Sequence, residues 1–169
     1  WRSKAHRWNA TAMGPRRDIV GEWQRAATAR GLKFGVSEHL GASYTWFQVS
    51  HGWDGFGPKF SAPYDGANPL YWDLYHPTHG VQLRIPETWY TDDPAFHRQW
   101  YERISHMLET YAPDLPYSDG YTPFGAVGRT LVANYFNASM AANGGRCEAV
   151  YFTKDHHGPG VYGVLDIER

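Results

Sequence analysis

Arg16-Arg17-Asp18-Ile19-Val20-Gly21-Glu22-Trp23-Gln24-Arg25-Ala26-Ala27-Thr28-Ala29-Arg30-Gly31-Leu32-Lys33-Phe34-Gly35-Val36-Ser37 is the stretch from which the fold can be argued. Residues 16–30 read as a helix, because Ile19, Val20, Trp23, Ala26 and Ala27 recur at helical spacing and share one face. Asp18 suits the first turn, Arg30 the last, and Gly31 is the expected stop. Leu32 to Ser37 follows at once and is short and apolar enough for a strand. A helix that stops at glycine and runs straight into a strand is the αβ half of a βαβ unit.

Working downstream, residues from about His39 to Asp92 show no convincing period and read as one long aromatic loop. Loops of that length are uncommon in compact domains and are usually functional when ordered. A second helix is expected over Pro94–Tyr111, with proline in its first turn. Its buried stripe would be Phe96, Trp100, Ile104, Met107, Leu108 and Tyr111. Pro113 ends it, and Asp114 to Ser118 is a short strand running into Asp119-Gly120. A third helix covers about Arg129 to Ala142, Glu148 to Thr153 is rich in β-formers, and Gly163 to Ile167 makes a last strand. Strands alternating with helices argue for a parallel α/β architecture. A whole (β/α)₈ barrel needs roughly 250 residues, so 169 residues can hold only part of one.

Composition narrows the function. Trp 8, Tyr 12 and Phe 8 make the chain 17% aromatic, with Gly 18, Pro 11 and only 20% charged residues. Disordered chains have the opposite profile, and no heptad pattern supports a coiled coil. A net charge of −1 gives no electrostatic footprint for nucleic acid, and no apolar run approaches the ~20 residues of a membrane helix. The single cysteine, Cys147, makes no internal disulfide and no metal site by itself.

The chemistry is expected at the strand C-terminal ends, which carry the active site in barrel enzymes. Ser37-Glu38-His39, Ser118-Asp119-Gly120 and Thr153-Lys154-Asp155-His156-His157 would bring ionisable groups to one face. Polar strand exits are also ordinary wherever a chain meets solvent, so each end alone says little. The three together, beside an aromatic loop, favour a polar pocket. Tyr44, Trp46, Phe47, Trp53, Tyr64, Tyr71, Trp72, Trp89 and Tyr90 could pack that loop or offer apolar faces to a sugar ring, in the usual form of a pocket with a few placed polar groups. Adjacent His156 and His157 rarely point the same way and lack a third ligand at metal spacing, so no metal and no cofactor are expected. Asn9-Ala10-Thr11 and Asn137-Ala138-Ser139 fit the glycosylation pattern, but such triplets arise by chance.

Trp1 to Ala10, Gly14 to Trp23 and Arg30 to Val36 resemble the α-L-fucosidases of glycoside hydrolase family 29. The most specific segment is Tyr111-Ala112-Pro113-Asp114-Leu115-Pro116-Tyr117-Ser118-Asp119-Gly120, which is similar to the family's nucleophile strand. Ala149 to Lys154 and Leu165 to Arg169 resemble its later strands, so the likeness runs along nearly the whole chain. The resemblance implies a partial TIM-like barrel missing its first and last strands, with residues 1–169 a fragment of the catalytic domain. It implies hydrolysis of terminal α-L-fucosides with retention, through a covalent fucosyl-enzyme, on a fucosylated glycan or glycoside. Asp119 matches the nucleophile. Glu168 is the candidate general acid/base; Glu38 is its rival, though at the first strand end it is expected rather to contact substrate or a buried partner. His39, Trp46 and Lys154 are candidate sugar contacts, Lys154 standing where many members carry an arginine-containing segment. Ser37-Glu38-His39 departs from the tyrosine-containing end of many members, and the family's His-His-Asp-Gly stretch is absent.

Two other functions compete with this one, a non-catalytic carbohydrate-binding relative and an inactive truncated fragment. Simple binding would not require Asp119 with a second carboxylate. Trp1 and the unfinished Val164–Glu168 segment read as the ends of a piece of a larger protein. An open sheet exposes edges and apolar faces, so self-association is expected. Family members are lysosomal, secreted or periplasmic, which is all the sequence offers on compartment.

Overall fold

The computed structural model describes residues 1–52, 63–79, 89–154 and 163–165. The described residues form two compact units, Trp1–His39 with His97–Arg169, and Leu40–Phe96. None of their helices is long and apolar enough to cross a membrane.

The first unit is built on a parallel sheet of four strands in the order β1 (Gly35–Glu38), β2 (Leu115–Ser118), β3 (Phe152–Thr153) and β4 (Val164–Leu165). Its register sets Glu38 opposite Ser118, and Ser118 opposite Thr153. This mixed α/β arrangement is compatible with part of a TIM-like fold.

Helix α1 is Ile19–Thr28, shorter than the expected 16–30 at both ends. Asp18 is the N-cap, its carboxylate accepting from the Gly21 N–H, and so removes one of the orphan donors of the first turn. Beyond the last turn, the Gly31 N–H donates to Thr28 O and the Leu32 N–H to Ala27 O. That is a Schellman closure, with Gly31 at φ 68° supplying the left-handed residue. The expected face needs correction, because Trp23 is 69% exposed. The buried seam of α1 runs instead through Asp18, Gly21 and Gln24, against Tyr111. A Cβ on Gly21 would lie 3.2 Å from the Tyr111 ring, Gln24 Nε2 donates to Tyr111 O, and the Tyr111 hydroxyl donates to Asp18.

Helix α4 (Pro94–Tyr111) matches its expected bounds. Asp93 accepts from the Ala95 N–H and Pro94 occupies the first turn, where its missing N–H costs nothing. All six stripe residues, Phe96 through Tyr111, are buried. Helix α5 (Ala126–Ala142) starts three residues before the expected Arg129 and adds Leu131, Val132 and Tyr135 to the core. Each such side chain contributes about 1.5–3 kcal/mol of apolar burial. The β-rich run 148–153 forms a strand only at Phe152–Thr153. Of the two glycosylation triplets, the Asn9 amide is tied up, donating to Ser3 O and His6 O.

The second unit corrects the expectation of a long loop. It contains α2 (Leu40–Trp46), three 3₁₀ turns at Phe47–His51, Asp65–Ala67 and Pro69–Tyr71, and the single turn α3 (Trp72–Tyr75). Gln48, in the first of these 3₁₀ turns, is fully buried. Its amide donates to Pro77 O at 3.2 Å and accepts from the His79 N–H at 2.9 Å. Buried His76 packs against Tyr44, Phe47 and Phe96. A buried polar side chain satisfied on both sides can hold irregular backbone that has no ladder of its own.

Candidate active site

The parallel register decides where the ionisable groups fall. Glu38, Ser118 and Thr153 lie side by side on β1, β2 and β3, so the next residues, His39, Asp119 and Lys154, emerge together at the C-terminal edge. Backbone bonds fix this edge. The Asp119 N–H donates to Glu38 O at 3.2 Å and the Lys154 N–H to Gly120 O at 2.8 Å. The Thr153 hydroxyl also donates to Gly120 O, at 2.9 Å. Gly120 turns the chain away from the strand at φ 127°, a conformation that side chains other than glycine rarely adopt.

Asp119 stands at the centre. One carboxylate oxygen pairs with His39 Nε2 and the other with Lys154 Nζ. The Tyr117 hydroxyl donates to the same oxygen as Lys154, at 3.3 Å. Burial pushes the Asp119 carboxyl up, but it is outweighed. The Lys154 hydrogen bond, the His39 and Lys154 charges and the Tyr117 hydroxyl together hold it below its ordinary value of 3.8. Asp119 is therefore an anion at neutral pH. The His39 side chain is 49% exposed and that of Lys154 24%, so both can reach a ligand at this edge, while the Asp119 carboxylate they hold is 20% exposed.

Glu38 lies behind this cluster, in the core. It is 9% exposed, with one oxygen accepting from the Ser118 hydroxyl at 2.8 Å and the other from the Trp100 indole N–H at 3.4 Å. Of the roles the sequence left open for Glu38, acid/base rival, substrate contact or contact with a buried partner, the described contacts are those with buried protein donors. Trp46 belongs to the second unit, half-buried, with its ring edge-on to Trp89 at 5.3 Å. Glu168, His156 and His157 lie outside the described residues.

Sequence reasoning passed over Tyr117, which aims its hydroxyl at Asp119 from two residues upstream. It set Ser118 at a strand end and Trp100 in a buried stripe, but did not foresee that both donate to Glu38 or that Tyr151 donates to Ser118. The signal for Ser118 is faint: it is the last residue of its strand, where a polar side chain is ordinary.

A single anionic carboxylate, held between two basic side chains at a parallel-sheet edge, can act as a nucleophile toward an electrophilic carbon or anchor a polar ligand. The alpha-L-fucosidase family model matches residues 1–162. Among curated proteins no match is found.

Proposed function

This chain belongs to the alpha-L-fucosidase family, and on that premise we propose that it hydrolyses terminal α-L-fucosides with retention, Asp119 being the nucleophile. The family's reaction is glycoside hydrolysis of fucosides, and its substrate a fucosylated glycoside. The observation that carries the finer reading is the placement of an ionised Asp119 at the C-terminal end of β2, with basic groups from both neighbouring strands on its oxygens.

In the proposed sequence, an Asp119 oxygen attacks the anomeric carbon as the bond to the aglycone oxygen breaks. Glu168, protonated at first, gives its proton to that oxygen. Water then attacks the same carbon, passes a proton back to Glu168 and releases Asp119, so two inversions leave the configuration unchanged. Such pairs of carboxyl groups stand roughly 5–5.5 Å apart. The assignment of Glu168 rests on the family resemblance of the Leu165–Arg169 segment. Lys154 and His39 hold Asp119 ionised before substrate binds and then turn to the sugar hydroxyls. Trp46 is a candidate platform for the apolar face of the ring.

Nitrophenol release from 4-nitrophenyl-α-L-fucoside by the chain and by Asp119→Ala tests this reading. Hydrolysis that falls ~10³-fold or more in the variant supports it. Equal activity in both sinks the assignment of Asp119. A chain that binds fucose and never turns over is the carbohydrate-binding alternative.

A further inference from the structure

The placement of Asp119 depends on two strands other than its own, and the paired backbone joining them is short, with the Asp119 N–H on Glu38 O and the Lys154 N–H on Gly120 O just past it. Between β1 and β2 four residue pairs are in register, but between β2 and β3 only two. His39 follows β1 and Lys154 follows β3, so a small lateral slip of either strand carries its basic group away from the carboxylate. Directly beneath the three site residues runs a chain of buried side chains that crosses all three strands. The Tyr151 hydroxyl donates to Ser118 Oγ at 2.8 Å. Ser118 Oγ donates in turn to Glu38 Oε1 at 2.8 Å, and the Trp100 indole donates to Glu38 Oε2 at 3.4 Å. Ser118 is 2% exposed, Tyr151 3% and Trp100 0%.

From this geometry we propose that Ser118 is a positioning residue for Asp119. Its hydroxyl ties β1 to β3 through Glu38 and Tyr151, and so keeps His39 and Lys154 on the two oxygens of the carboxylate. The serine hydroxyl is suited to this node because it accepts and donates at once. Alanine at 118 removes both bonds, so Tyr151 and Glu38 each lose one partner in a buried setting, where polar networks bind strongly and tolerate loss badly. The role rests on the reading of Asp119 as the reacting carboxylate only for its consequence in turnover. The positioning itself is readable without any turnover.

The test is a titration of the aspartate carboxyl carbons by NMR in the full chain, the Asp119 signal being assigned by its loss in Asp119→Asn. Asp114, at the other end of β2, is the internal reference: it too is held below 3.8, by the Lys33 ammonium and the Phe34 N–H against the opposing effect of burial. In Ser118→Ala the Asp119 midpoint is expected to rise toward 3.8 while that of Asp114 stays. Tyr151→Phe, which leaves the Ser118–Glu38 bond in place, is expected to move Asp119 the same way by less. It decides the matter alone if Ser118→Ala does not fold. Where turnover is measured, Ser118→Ala lowers kcat roughly tenfold or more with KM little changed. An Asp119 midpoint that stays put, or an equal rise in both aspartates, overturns the proposal. Neither result touches the assignment of Asp119 as nucleophile, which the Asp119→Ala hydrolysis decides separately.

Discussion

Strand β2 has an aspartate at each end, and the two differ in what holds them. Before the strand, Asp114 pairs with Lys33 at 2.8 Å and accepts from the Phe34 backbone N–H at 2.9 Å. Its own N–H donates to Phe34 O, and its carbonyl accepts from Val150 N. After the strand, the Asp119 carboxylate is held, among the described residues, by the side chains of His39, Lys154 and Tyr117, while its N–H donates to Glu38 O. Both carboxyls lie below the ordinary value, and each has a lysine as partner. Yet one is welded into the join between two strands, and the other is gripped by groups that can rotate away. A ligand can displace side chains at little cost, whereas displacing the Phe34 N–H would strand a backbone donor. This is the division expected in barrel enzymes, with chemistry at the C-terminal edge and stability at the N-terminal one.

Lys154→Met is the variant expected to sharpen the contrast most. Removing one charged donor at a reacting centre costs ~10²-fold in kcat. With the ammonium gone, the Asp119 carboxyl rises, so the acid limb of kcat/KM moves to higher pH. An unchanged pH profile would mean that Lys154 does not act through Asp119.

Asp114→Ala should do the reverse and give the smaller effect. Hydrolysis stays near that of the parent, while stability at neutral pH falls by about 1 kcal/mol. Most of that loss belongs to the Phe34 N–H bond, since Lys33 is 77% exposed and exposed ion pairs contribute little. The folded-state value of Asp114 is depressed, so its contribution is present above the ordinary 3.8 and is lost as pH falls through the folded value. Thermal unfolding of parent and variant should therefore converge in acid. A loss of activity matching that of Asp119→Ala would erase the distinction between the two ends.

How far the sequence could be read follows from how long each element is. Helix α4 runs 18 residues, enough turns for six apolar positions to declare one face, and Pro94 and Pro113 bracket it. The described residues between 40 and 75 fold into helical pieces of three to seven residues. One or two turns carry no readable period, and a fully buried residue among them is a glutamine, Gln48. Trp23 misled because periodicity scores apolar side chains, while the tight approach of α1 to Tyr111 is made at Gly21, which has none. At the site, His39, Asp119 and Lys154 were legible as polar residues leaving strands. The bonds from Ser118 and Trp100 to Glu38, and from Tyr151 to Ser118, were not, because they depend on the register between strands that are distant in sequence.

The central claim is that Asp119 forms the bond to the sugar. Incubation with a 2-deoxy-2-fluoro-L-fucosyl donor, which slows release of the intermediate, followed by proteolysis and mass spectrometry, tests it directly. One fluorofucosyl unit is predicted on the peptide containing residues 111–120, located at Asp119 by fragmentation and absent from Asp119→Ala. A fluorofucosyl unit on any other carboxylate would contradict the assignment, as would an unlabelled Asp119 in a chain that still hydrolyses the nitrophenyl fucoside.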